Sequence, residues 1–170
     1  MTKDKARKES LEKRKNVNKA LSSNEIINKI IESNILDGFN NIGIYYPIGN
    51  EIDIMKLVNI YKDKVFYLPI TKDEIDFIKY DNNTKLIDGP FKTKEPIGDI
   101  VNRNLIECCI IPCVAINSEN KRVGYGKGYY DRYLAGYNGI KIGICYQNAC
   151  DIDIDMDDFD VSLDYVFKGW

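Results

Sequence analysis

A chain of 170 residues with 44% apolar side chains and a formal net charge of −2 fits one soluble globular domain long enough to bury a core. No apolar run approaches the ~20 residues that span a bilayer, and the charged, lysine-rich start lacks the apolar stretch of a secretory signal, so a cytoplasmic protein is expected. Histidine is absent, which removes Ser-His-Asp triads, histidine-based zinc hydrolysis and imidazole acid–base catalysis; five cysteines without a Cys-x-x-Cys pair read as buried free thiols.

From about 3 to 21 the sequence predicts one highly charged, loosely attached helix. Its bases (Lys3, Lys5, Arg7, Lys8, Lys13, Arg14, Lys15, Lys19) are interleaved with Asp4, Glu9 and Glu12, and a solvated face accounts for most of them. No aromatic residue is present to stack on bases, which argues against a nucleic-acid arm. Lys3 and Arg7 are the exceptions: four apart, they share a helix face and could clamp a polyphosphate. Ser22-Ser-Asn-Glu25 has the form of a capping box and predicts a second helix with Ile26, Ile27, Ile30 and Ile31 as its apolar stripe.

A strand over 41–46 is stopped by Pro47 and Gly49. A helix over 52–61 and a strand over 65–68 follow. The polar stretch 71–104 reads as a short strand (75–80) and a long loop containing Gly89-Pro90 and Glu95-Pro96; loops of that length are often functional. An apolar run (106–116), a glycine-rich loop, a helix from Tyr129 to about Tyr137, and strands over 140–146 and 165–167 complete the chain. The segment 151–164 carries seven aspartates and no base. Strands apolar on both faces that alternate with helices predict a three-layer α/β domain over 1–170: a mostly parallel central sheet with helices on both faces. Ligands in such sheets bind beyond the carboxyl ends of strands. Residues 46–51 and the glycine loop both fall there and can line one crevice.

The glycine loop carries the chemistry. In Arg122-Val-Gly-Tyr-Gly-Lys-Gly-Tyr-Tyr-Asp-Arg132 three glycines alternate with Tyr125 and Lys127 before a helix. Glycine lets the backbone turn sharply and approach a ligand, and amides near a helix start attract anions. Lys127 adds a positive charge and Asp131 could hold a metal, so a phosphate carried by a nucleotide with magnesium is the expected guest. The pattern is neither Walker A nor the dinucleotide fingerprint. A tight turn needing positive φ is the simpler reading of the same glycines.

Val123-Gly-Tyr-Gly-Lys-Gly-Tyr-Tyr-Asp-Arg-Tyr-Leu134, after Ile111-Pro-Cys-Val-Ala115, closely resembles the signature of 5-formyltetrahydrofolate cyclo-ligases, also called methenyltetrahydrofolate synthetases. Lys3-Asp-Lys-Ala-Arg7 looks like that family's N-terminal basic helix. Ile44-Tyr-Tyr-Pro47 with Asn50-Glu-Ile-Asp53 looks like its substrate segment. Leu68-Pro69, Glu95-Pro96 and the stretch 160–166 resemble smaller signatures, in the family's order and over nearly the whole chain. The resemblance implies an ATP- and magnesium-dependent closure of 5-formyltetrahydrofolate to 5,10-methenyltetrahydrofolate, giving ADP and phosphate, by a monomer without nucleic-acid or membrane partners.

It also implies roles. Lys127 and Tyr129 stand at the chemistry. Lys3, Arg7, Gly124, Tyr125, Gly126, Gly128, Tyr130, Asp131 and Arg132 join them in binding ATP. Tyr46 and Glu51 contact the folate alongside Gly126 to Tyr129, and Asp131 with Asp160 holds magnesium. For Glu51 charge complementarity at a helix start is the bland alternative; for Asp160 it is one more solvated aspartate. Tyr125 stands where many members have arginine, and Phe159 where many have histidine. A nucleotide-binding regulatory module with the same loop is the alternative function; Lys3, Arg7, Glu51, Lys127 and Asp131 occurring together speak against it.

Overall fold

The computed structural model describes residues 1–170. Helix α1 (Lys3–Lys13) and helix α2 (Lys19–Ser33) come first. Strand β1 (Asn41–Gly43), the single-turn helix α3 (Leu57–Ile60) and strands β2 (Val65–Thr71) and β3 (Ile75–Tyr80) follow. Next are β4 (Leu86–Asp88), β5 (Lys94–Pro96), β6 (Cys108–Pro112), β7 (Ala115–Ile116) and β8 (Arg122–Val123). Helix α4 (Tyr129–Leu134), β9 (Ile140–Tyr146) and β10 (Tyr165–Gly169) end the chain.

The main sheet has the order β10-β9-β6-β1-β2-β3. Every pairing is parallel except β2 with β3. This is the mostly parallel three-layer α/β arrangement expected. Its cause is visible in β6, where Cys108 and Ile110 pack on one face, Cys109 and Ile111 on the other, and all four are buried. On one side Ile26, Ile27 and Ile30 of α2 cover Ile42, Leu68, Ile110 and Ile142. Each such side chain contributes about 1.5–3 kcal/mol on burial. The other side holds Ala6 of α1, Leu134 of α4, Phe77 and Tyr137.

The long first helix is two. Helix α1 gives way to a 3-10 turn (Arg14–Asn16), Val17 is extended, and the Asn18 side chain caps α2 by accepting from the Leu21 amide at 3.1 Å. Asparagine is among the strongest N-caps, so the helix starts there and the Ser22 box does not form. Ser22 is buried within α2, and the Ser23 hydroxyl instead accepts from the Asp53 amide at 2.8 Å. Nor does α1 lie loosely. Ala6 is 0% and Ser10 1% exposed; small side chains bring the helix backbone close, where an apolar stripe would have stood it off.

Other boundaries shift for local reasons. Only the last turn of 52–61 is helical, because the Asp53 carboxylate accepts from the Met55 amide at 2.9 Å and competes with the helix start. The stretch 71–104 contains the hairpin β4–β5. The run 106–116 turns after Pro112 into β7, which pairs antiparallel with β8, so the glycine loop leaves a small hairpin rather than the central strand. Helix α4 ends at Leu134, and Gly136 (φ 73°) turns the chain so that Tyr137 drops into the core. The last strand runs on to Gly169.

Candidate active site

The loop between β8 and α4 is built on backbone that needs glycine: Gly126 has φ 97° and Gly128 φ 71°, where a Cβ is strained. Two arginines pin its carbonyls. Arg7 Nε donates to Gly124 O at 2.6 Å, and Arg132 Nη1 donates to Lys127 O at 2.9 Å. The Arg7 guanidinium lies against Gly126, where an added Cβ would stand 3.4 Å from its Cζ. Helix α1 and the loop therefore hold each other.

Beside the loop opens a cavity of about 510 Å³, a size typical of small-molecule sites. It lies past the carboxyl ends of β1, β2 and β6, as the topology requires, with Tyr45 and Glu51, Pro69 and Thr71, and Pro112 supplied from those ends. The turn leading into β5 forms the far rim through Phe91 and Lys94. Every candidate site residue lines this cavity except Arg132, which braces the loop from outside with its guanidinium 5.2 Å from the Tyr129 ring centroid.

The lining residues differ in what they are free to do. Lys127 makes no ion pair, and its Nζ lies 5.9 Å from the Phe91 ring centroid, so its charge is available. The Tyr129 hydroxyl donates to Lys72 O at 3.0 Å and ties the loop to the opposite rim. Tyr130 lies under Arg122, 5.1 Å from guanidinium to ring centroid. Burial pushes its phenol far above the ordinary range, so it is a neutral wall. Tyr46 lines the same cavity as Glu51.

Glu51 is buried, and its Oε1 accepts from the Ile48 amide at 2.8 Å. Burial raises its pKa, opposed by the Ile48 bond, Arg14, the Tyr125 hydroxyl and Arg122. The Tyr125 hydroxyl accepts from Arg14 and donates to Glu51 Oε2 at 3.4 Å. Tyr125 is 43% exposed as a residue, but its hydroxyl end is the buried part, and burial pushes its pKa to about 12.

Asp131 follows the loop, and Asp160 lines the same cavity from the acidic segment. Asp131 Oδ1 is buried without a hydrogen-bond partner; Arg122 Nη1 stands 3.8 Å away. Asp160 is held by Lys3 Nζ at 3.0 and 3.1 Å and accepts from the Asp157 amide at 2.6 Å. No cluster of three or more acidic or thiol ligands exists. A cation here would have at most two protein carboxylates and otherwise ligand oxygens or water, which suits magnesium. The unpartnered Asp131 oxygen is consistent with that.

Three contributors escaped the sequence reading. Arg122 opens the motif but sits in a short, core-like pair with Val123. Arg14 looks in sequence like one more solvated base, although its offset of seven from Arg7 returns it to the same helix face. Phe91 follows Gly89-Pro90 and itself takes a left-handed φ of 59°, a position not held by glycine.

A model of the 5-formyltetrahydrofolate cyclo-ligase family matches residues 1–169. Among named relatives, the 5-formyltetrahydrofolate cyclo-ligase of Mycoplasma genitalium is 33% identical over 135 residues, 74% of this chain and 70% of the relative. That of Mycoplasma pneumoniae is 35% identical over 134 residues, 75% and 71% respectively. The solved 5,10-methenyltetrahydrofolate synthetase of Mycoplasma pneumoniae superposes with TM-score 0.80 at 30% identity, covering 98% of both chains. The NMR structure of the Aquifex aeolicus 5,10-methenyltetrahydrofolate synthetase gives TM-score 0.86 at 29% identity, covering 99% of this chain and 90% of the other. Matched along nearly its whole length, the chain belongs to the 5-formyltetrahydrofolate cyclo-ligase family and is an ATP-dependent cyclo-ligase.

Proposed function

We propose that the protein closes 5-formyltetrahydrofolate to 5,10-methenyltetrahydrofolate at the expense of ATP, with magnesium, by phosphorylating the formyl oxygen. The observation that carries this is one cavity joining the Glu51 wall to the Lys127 loop. A formamide oxygen leaves poorly, and an amide carbon resists attack by the neighbouring folate nitrogen. Transfer of the γ-phosphoryl group to that oxygen makes the carbon electrophilic and the oxygen a leaving group. The nitrogen then closes the ring, the carbon–oxygen bond breaks, and phosphate departs as hydrogen phosphate with the proton that the nitrogen loses.

The residues divide the work. Loop amides from Gly124 to Tyr129 hold phosphate oxygens. Lys127 meets the charge that develops on the transferring group, an effect that grows where water is excluded. Lys3 and Arg7 close over the nucleotide from α1. Tyr46 packs against the folate, and the buried Glu51 carboxylate accepts N–H groups of its pterin. Tyr129 frames the loop. Asp131 and Asp160 would hold magnesium, which neutralises polyphosphate charge during transfer. No acid–base group of the protein is demanded, in keeping with phosphoryl transfer as positioning and charge stabilisation. The chain is read as a single-domain monomer, and five buried free thiols support a reducing, cytoplasmic setting.

The test is direct. Purified protein with ATP, magnesium and 5-formyltetrahydrofolate should produce methenyltetrahydrofolate absorbance only when all three are present. Turnover without ATP, or none from folded protein under any condition, would overturn the reading.

A further inference from the structure

Arg14 is a buried guanidinium with no carboxylate within ion-pair distance. A charge in that position needs compensation. Its hydrogen bond goes to the Tyr125 hydroxyl, with its Cζ 5.5 Å from the ring centroid. That hydroxyl in turn donates to Glu51 Oε2 at 3.4 Å. Arginine and glutamate thus form an ion pair bridged by a phenol, joining the turn after α1, the glycine loop and the segment after β1.

Arg14 does not line the cavity. It lines, with Glu51, a separate void of about 10 Å³, room for no more than one water. The other groups facing Glu51 are committed elsewhere. The Tyr45 hydroxyl donates to Ile52 O at 2.6 Å, and that of Tyr146 to Asn50 O at 2.7 Å. Arg122 donates to Pro112 O at 3.0 Å and faces Asp131. Tyr130 is a neutral phenol held by Arg122. Cys113 and Cys145 are buried thiols kept neutral by burial and, for Cys145, chiefly by its contact with Cys150. Asp53, on Glu51's own segment, accepts from the Met55 amide.

We propose that Arg14 is a positioning residue for the folate, orienting and charging Glu51 through the Tyr125 hydroxyl. This rests on the assignment of Glu51 to the folate. Arg14 supplies the charge and Tyr125 transmits it: a phenol polarised by a guanidinium donates more strongly to a carboxylate. The carboxylate is then held ionised in one orientation, ready to accept from the ligand. A chain of this kind couples the docking of α1 to the folate wall, although α1 reaches the cavity itself only at the nucleotide end.

The experiment compares wild type, Arg14→Met, Arg14→Lys and Tyr125→Phe by carbon NMR of glutamate carboxyls, with the Glu51 signal assigned by Glu51→Gln. In Arg14→Met, which fills the space without charge, Glu51 should titrate at higher pH than in wild type. Arg14→Lys should return it most of the way, and Tyr125→Phe should resemble Arg14→Met. In kinetics, Arg14→Met should raise KM for 5-formyltetrahydrofolate on the order of tenfold near neutral pH, the scale of one charge-assisted hydrogen bond. KM for ATP should stay within about twofold, because Arg14 lies at the folate end; the acid limb of kcat/KM for folate should follow the NMR titration. Identical Glu51 titration in wild type, Arg14→Met and Arg14→Lys overturns the proposal, as does a loss in Arg14→Met that Arg14→Lys fails to reverse. Should wild type not turn over 5-formyltetrahydrofolate, the functional assignment fails, and the NMR titration still decides whether Arg14 governs Glu51.

Discussion

Lys3 Nζ lies 3.0 Å from Asp160 Oδ2, which fastens the first turn of α1 to the acidic segment 157 residues later in the chain. The same ammonium reaches Asp157 Oδ2 at 2.8 Å. One lysine therefore occupies the carboxylate that would share magnesium with Asp131, and a cation arriving at Asp160 must displace it or join it.

Asp131→Asn and Asp160→Asn should each weaken apparent magnesium affinity, and the double variant should be less than additive if both serve one ion. Asp157 is a poor control because it shares Lys3; the exposed Asp158 is the right one. Should Asp160→Asn behave like Asp158→Asn while Asp131→Asn is impaired, the acidic segment serves only to hold α1.

Lys127 is a cation of the glycine loop without an ion pair, its Nζ 5.9 Å from the Phe91 ring centroid. Lys127→Ala should lower kcat by about two orders of magnitude or more with melting temperature unchanged. A rate near wild type would reduce the loop to a turn.

Arg7 bonds the loop carbonyl of Gly124 and lies against Gly126. Arg7→Ala should weaken ATP binding by about tenfold or more, the scale of a charge-assisted contact. The fold should survive, because the buried Ala6 and Ser10 still dock the helix when Arg7 is removed. Calorimetric ATP titration checks this; unchanged affinity places Arg7 among structural contacts.

Glu51 gives a prediction whose sign follows from burial. Its folded-state pKa lies above the ordinary value of 4.5. The native state therefore binds the proton more readily than the unfolded chain, and the resulting stability is present at low pH and lost as pH rises through the raised value. Glu51→Gln, uncharged throughout and still able to accept from the Ile48 amide, should melt a few degrees higher than wild type near neutral pH. The gap should close toward pH 4, while folate affinity falls at neutral pH. An unchanged or lower melting temperature at pH 8 would show that Arg14, Tyr125 and Ile48 outweigh the cost of burial.

The sheet was legible through its central strands, which are apolar on both faces; β6 and β9 follow directly from the runs around Ile110 and Ile142. The split of the first helix was not, since Asn18 and Ser22 are both respectable caps and only tertiary packing chooses. The docking of α1 was hidden for a related reason: Ala6 and Ser10 carry too little apolar surface to register in a periodicity. The glycine loop and its charged partners were visible as residue types, and the cavity gathers all but Arg132. Arg14 and Phe91 were not, because one looks like its solvated neighbours and the other depends on left-handed backbone at Phe91 and Lys92, neither of them a glycine.

All five thiols are buried, and burial holds Cys109 near 12 and Cys113 near 11. Only Cys150, drawn down by Cys145, departs from that pattern, and it is 9% exposed. For alkylating dyes the native chain is close to silent. A cysteine placed at Phe159, 91% exposed beside Asp160, would take a fluorophore selectively without removing any native thiol. Such a labelled protein would report, in real time and at single-molecule dilution, whether Lys3 leaves Asp160 when nucleotide and magnesium arrive.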